Sequence, residues 1–95
     1  MTSEDARQLV VSRLDQVDQA IRAVTDNLGD DAAGIVVRWF DVASQAGIAT
    51  GLIATLRSCG YKLEPDLRAR LGSIDESLAV MGAEIRKRAA EAYGR

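Results

Sequence analysis

Apolar residues recur at alternating spacings of three and four in three separate stretches of this chain. This spacing follows the period of an α-helix, so each stretch predicts a helix with an apolar stripe along one side. The sequence contains a single proline, and no long stretch alternates apolar and polar residues as a half-buried strand would. The repeat therefore predicts an all-α fold.

The first stretch predicts a helix over about residues 3–28. Thr2 and Asp5 have the spacing of a capping box at its start, and Gly29 is a suitable stop after its end. The apolar stripe of this helix comprises Val10, Leu14, Val17, Ile21, Val24 and Leu28.

The last stretch predicts a helix over about residues 65–92, with Pro65 in its first turn. A capping-box pattern after Gly72 leaves a break open, but the apolar spacing keeps its phase across this glycine and favours one continuous helix. Arg88 occupies a place in the stripe where an apolar side chain is expected. The stripe otherwise comprises Leu67, Leu71, Ile74, Leu78, Met81, Ile85 and Ala92.

The middle stretch predicts a helix over about residues 31–59, with Asp30 as its N-terminal cap and Gly60 as its stop. Its main stripe comprises Ile35, Trp39, Val42, Ala46, Ala49, Ile53 and Leu56. A second apolar row beside it comprises Val36, Phe40, Ala43, Gly47, Thr50 and Ala54. A helix that is apolar around so much of its circumference is expected to be buried on more than one side.

Glycines within this middle helix leave two interpretations open. Gly34, Gly47 and Gly51 each disfavour the helix by about 1 kcal/mol relative to alanine. Either neighbouring backbones pack closely against these positions, or the helix breaks near Gly47. In both cases residues 1–95 form a single domain, which we expect to be an up-down-up three-helix bundle or a coiled-coil-like helical hairpin that self-associates.

Composition excludes several classes of function. The 12 basic and 14 acidic residues give a net charge of −2, which argues against a generic polyanion-binding protein. The chain has no histidine and one cysteine, so most metal sites and nucleophile–base pairs are excluded, and we expect neither an enzyme nor a cofactor. Cys59 has no internal disulfide partner and no secretory leader is recognisable, so a cytoplasmic location is expected.

The positions of the charged residues bear on membrane insertion and on ion pairing within helices. Residues 32–56 are mostly apolar and long enough to span a bilayer, but Arg38 and Asp41 lie within them and argue against insertion. In the last helix, Asp66 with Arg70 and Glu84 with Arg88 are spaced for ion pairs along one helix face.

One local motif lies in the middle helix. Residues 40–57 resemble the helix-turn-helix of the lac repressor family, since Asp41-Val42-Ala43 is followed by Ala46-Gly47-Ile48 at the family's spacing. The resemblance implies a turn at Gly47 and a recognition helix in a DNA major groove. On this alternative the residues that contact DNA are Thr50, Thr55 and Arg57.

The surplus of apolar surface on the middle helix supports a different function. Trp39 and Phe40 are adjacent and point about 100° apart, so either both reach a wide core or one faces outward. On the second interpretation the interface residues are Val36, Phe40, Ile48 and Leu52.

We therefore expect a non-enzymatic protein–protein interaction module whose partner is a second copy, giving a dimer, or another helical protein. Arg accounts for ten of the twelve basic residues and Ala occurs fifteen times, a bias typical of GC-rich genomes. A phage- or actinobacterium-encoded modulator of a host protein fits this bias.

Overall fold

In a computed structural model that describes residues 2–29 and 31–93, the chain forms an all-α bundle of three helices, which confirms the expected fold class. Helix α1 spans Ser3–Thr25, α2 spans Ala32–Ser58 and α3 spans Pro65–Tyr93. Short connections make successive helices antiparallel, so the bundle is long and thin, measuring 52 × 19 × 18 Å.

The start of α1 has the expected capping box, but its end comes three residues early. The Thr2 hydroxyl accepts a hydrogen bond from the Asp5 N–H at 3.1 Å, and the Asp5 carboxylate accepts one from the Thr2 N–H at 3.2 Å. The helix ends at Thr25 rather than residue 28 because the Asn27 side-chain amide donates to the Ala23 carbonyl, while its own N–H bonds to the Val24 carbonyl. Side-chain competition of this kind stops helices.

Asp31, rather than Asp30, caps the start of α2. The Asp31 carboxylate accepts from the Gly34 N–H at 2.8 Å, and Asp30 itself lies outside the described residues. At the other end Gly60 has φ +97°, and its N–H and that of Tyr61 donate to carbonyls of the last α2 turn. This is a Schellman motif, which requires a residue in the left-handed region and so favours glycine at position 60.

Helix α2 is continuous through Gly47, and α3 is continuous through Gly72. A Cβ atom added at Gly47 or Gly51 would meet no other atom within 4 Å. At Gly47 and Gly51 neither of the two interpretations therefore applies within one chain: the helix does not break, and no other part of the chain packs closely there.

The three predicted apolar stripes meet in the core, as expected. The buried members form two adjoining clusters along the bundle axis. One cluster comprises Ala6, Val10, Leu14, Val17, Ala49, Ile53, Leu56, Leu63, Leu67 and Ile74. The other comprises Ala20, Val24, Ile35, Val42 and Ile85. Ile21, Leu28, Trp39, Ala46, Leu71, Leu78 and Met81 are half-buried against them, while Ala92 is exposed.

Ion pairs between α1 and α3 replace one pair that the sequence pattern predicts within α3. Arg70 does not bond to Asp66; its Nη2 lies 2.5 Å from carboxylate oxygens of both Asp15 and Asp18 on α1. Asp66 instead binds Arg7 of α1, at an Nη2–Oδ2 distance of 2.6 Å. These contacts hold the start of α3 beside α1.

The hydrogen bonds of Arg88 explain why a charged residue occupies a place in the α3 stripe. Its Nε donates to Glu84 Oε1 at 3.0 Å, which is the predicted pair, and its Nη1 donates to the Leu28 carbonyl at 2.6 Å. The guanidinium thus satisfies a carbonyl in the turn that follows α1, where an apolar side chain would leave it without a partner from α3.

Candidate interaction surface on the second helix

Helix α2 exposes large apolar side chains on the side that faces away from α1 and α3. Phe40 is 73% exposed and Val37 is 69% exposed, while Val36 and Ile48 are exposed to a smaller extent. No charged residue occurs between Asp41 and Arg57. We call this side the outward face of α2.

The outward face has its own heptad-like row, which is separate from the core stripe. Exposed residues recur along it at alternating spacings of four and three, matching a second seam for a helical neighbour. The row comprises Ala33, Val37, Phe40, Ser44, Gly47, Gly51, Ala54 and Ser58. Its large side chains lie in the N-terminal half of α2, and its smallest residues lie in the C-terminal half.

Three of the four predicted interface residues lie on or beside this face. Val36, Phe40 and Ile48 are exposed. Leu52 is not: it is half-buried and packs against the core cluster formed with α1. Its position at the edge of the core stripe explains the difference, because a helix packed between two others buries a wider arc than a single heptad row.

Trp39 and its neighbour Phe40 have opposite environments, which decides between the two interpretations of this pair. Trp39 is half-buried in the core and lies over Gly82 of α3, where an added Cβ would be 3.1 Å from Trp39 Cζ2. Gly82 is buried. The apolar repeat does not predict this burial, because glycine has no side chain to contribute to a stripe. The one indication in the sequence is its position between Met81 and Ile85 of the α3 stripe. Phe40 faces outward instead.

Thr50, Thr55 and Arg57, the residues of the DNA-binding alternative, are all exposed on α2. Thr50 and Thr55 lie about 140° apart around the helix, and the Thr55 hydroxyl donates to the Gly51 carbonyl of its own helix at 2.9 Å. The continuous helix at Gly47 lacks the turn that a helix-turn-helix requires. The resemblance to the lac repressor family stays a prediction, and the geometry does not favour it.

A polar cluster joins the α2–α3 connection to α1. The Tyr61 hydroxyl donates to Glu64 Oε2, and Arg7 Nη1 lies 3.7 Å from the same carboxylate. Partial burial, together with the bond to Glu64, raises the pKa of Tyr61 to about 12. The hydrogen bond from Tyr61 lowers the pKa of Glu64, and that from Arg7 lowers the pKa of Asp66.

The charged residues of this cluster, Arg7, Glu64 and Asp66, bond to one another between α1 and the start of α3, and we call them the clasp. The hydrogen bond to Asp66 raises the pKa of the Arg7 guanidinium, and in the separate pair between α1 and α3 the bonds to Asp18 and Asp15 raise that of Arg70. The cluster connects α1 with α3 and stabilises the bundle.

A shallow cleft of about 260 Å³ lies between the end of α1 and α3. Apolar side chains form most of its wall, and its acidic residue, Glu84, is paired with Arg88.

Within residues 2–29 and 31–93, no cluster of histidine, cysteine and acidic residues is arranged to hold a metal ion. In the same ranges no helix combines the length and apolar character needed to cross a membrane.

Comparison of the chain with protein-family models, with curated proteins and with solved structures gives no match.

Proposed function

We propose that this protein is a non-enzymatic helical interaction module that binds another protein through the outward face of α2. The observation that carries the proposal is the exposure of Phe40, 73%, on a face that has no charge over residues 42–56. Contiguous apolar surface of this kind marks interaction sites, and aromatic residues are enriched at their centres.

The shape and chemistry of the face favour an apolar helix as its occupant. A straight row at spacings of four and three accepts the ridge of a second helix packed nearly along it. Burying one large apolar side chain contributes about 1.5–3 kcal/mol, so Phe40 and Val37 together supply most of the driving force.

Site-specific photocrosslinking tests this function. A benzophenone amino acid is placed at position 40 on α2, and in a separate protein at position 80 on α3, where Val80 is 72% exposed and so provides a matched control. We expect position 40 to give a discrete crosslinked protein adduct in cells that produce the chain, and position 80 to give none. Adducts of equal yield from both positions, or no adduct from position 40, would contradict the proposal.

A further inference from the structure

We infer that the partner on this face is a second copy of the chain, packed antiparallel with Gly47 of each copy at the symmetry axis. This inference rests on the proposed function, since it uses the same face of α2. It adds the identity of the partner, the direction of its helix and the residue at the centre of the contact.

The distribution of size along the face supports an antiparallel copy. Phe40 lies seven residues before Gly47, and Ala54 lies seven residues after it. An antiparallel copy centred on Gly47 therefore sets Phe40 beside Ala54 of the partner subunit, and the same contact occurs again on the other side of the axis. A parallel copy would set Phe40 against its equivalent and leave the small residues facing each other across a gap.

The exposed glycines give a second argument, because no contact or turn within one chain explains glycine at these positions. Glycine disfavours a helix relative to alanine, yet a Cβ at Gly47 or Gly51 would meet nothing within 4 Å. Neither residue lies in a turn, since α2 is continuous over Ala32–Ser58. Closely approaching backbone of a second molecule is what absent side chains at these positions permit.

The area of the face is sufficient for a reversible dimer. In this register residues 36–58 of the two helices overlap over about 34 Å, and a third of the circumference of a helix about 12 Å wide along that length amounts to about 430 Å² per copy. Two copies then bury about 900 Å², which is the area of a weak, reversible complex. The face also has no charge between residues 42 and 56 that would repel the same face of a second copy.

Disulfide trapping tests the partner and its direction. Phe40→Cys and Ala54→Cys are made as separate proteins in a Cys59→Ser background, because Cys59 is exposed and would form other crosslinks. The two proteins are oxidised singly and as a mixture, and circular dichroism checks that each remains helical. We expect a dimer in the mixture that joins position 40 to position 54, and little from either protein alone.

Each other outcome of the trapping experiment overturns the inference. Dimers joined 40 to 40 and 54 to 54 would show a parallel pair. Absence of any disulfide dimer, with the benzophenone at position 40 capturing a different protein, would exclude a second copy while leaving the interaction function intact. Absence of both products would overturn the inference and the proposed function together.

Alanine at the central glycine provides a test that misfolding cannot imitate. Gly47→Ala should raise the melting temperature by about 5 °C at dilutions where the chain is monomeric, because alanine favours the helix. The added methyl groups should weaken dimerisation about tenfold. Gly72→Ala is the matched control on α3, where a Cβ also has open space, and it should raise the melting temperature without changing the dimer. Equal dimerisation by both variants would overturn the inference.

Discussion

At the scale of single residues, the adjacent aromatics Trp39 and Phe40 show where a sequence pattern stops being informative. Both fit apolar rows of the middle helix, and the two rows have the same spacing. Their environments differ because of Gly82: on α3 this residue without a side chain lies opposite Trp39 and leaves room for its indole. Such a partner lies more than forty residues away in the chain, so periodicity within one helix cannot identify it.

The contact between Trp39 and Gly82 predicts an asymmetric effect of enlarging two glycines on α3. Gly82→Leu should destabilise the fold by about 1–3 kcal/mol, because the new side chain must displace the indole at 3.1 Å. Gly72→Leu has open space around it and should not destabilise. Thermal unfolding followed by the fluorescence of Trp39 measures both; an equal loss in the two variants would show that the indole does not pack there.

The clasp around Arg7 predicts a dependence of stability on acid. The pKa values of Asp66 and Glu64 are lower in the folded protein than their usual values, so these carboxylates stabilise the fold at neutral pH. This stabilisation should be lost as the pH falls from about 5 towards 3. In Arg7→Ala the melting temperature should fall less over that range; the same fall in both proteins would contradict the clasp.

At the scale of the helices, the apolar repeats predicted the position and number of elements, while their ends depended on single side chains. The Thr2–Asp5 box and the stop at Gly60 are local patterns with fixed spacing, and both are confirmed. The end of α1 was wrong by three residues because an apolar residue, Leu28, can extend a stripe beyond the helix and still pack against the core. Periodicity records burial, not backbone hydrogen bonding.

The continuity of α2 is the feature of this scale that most affects function. Backbone chemical shifts of residues 46–49 should be helical throughout, since the N–H groups of an unbroken helix keep their bonds across Gly47. Shifts typical of a turn at these residues would contradict this prediction. They would also favour the helix-turn-helix alternative, whose gel-retardation signal on DNA should then weaken in Arg57→Ala.

At the scale of the whole molecule, the all-α fold followed from the sequence, but the contacts between helices did not. Arg70 bonds to Asp15 and Asp18, more than fifty residues away, rather than to Asp66 on its own helix. Such pairs depend on the axial register of the packed helices, and three separate apolar repeats do not specify that register. Of the four interface residues predicted from the sequence, three are exposed on or beside the outward face, since a second apolar row on one helix is visible in the sequence alone.

The half-burial of Leu52 decides which variant separates folding from association. Leu52→Asp would place a charge against the core cluster and is expected to unfold the bundle. Phe40→Asp changes a side chain that is 73% exposed, so helicity by circular dichroism should be retained. Phe40→Asp is therefore the variant that isolates the outward face, with Val80→Asp as its equally exposed control.

Sedimentation equilibrium over a range of concentrations tests the central claim most directly, because it measures the mass of the assembly in solution. The wild-type chain should rise from 10.2 kDa to twice that mass as its concentration increases, and so should Val80→Asp. Phe40→Asp should remain at 10.2 kDa throughout. A wild-type mass that stays at the monomer value, or a Phe40→Asp protein that dimerises as the wild type does, would contradict self-association through the outward face of α2.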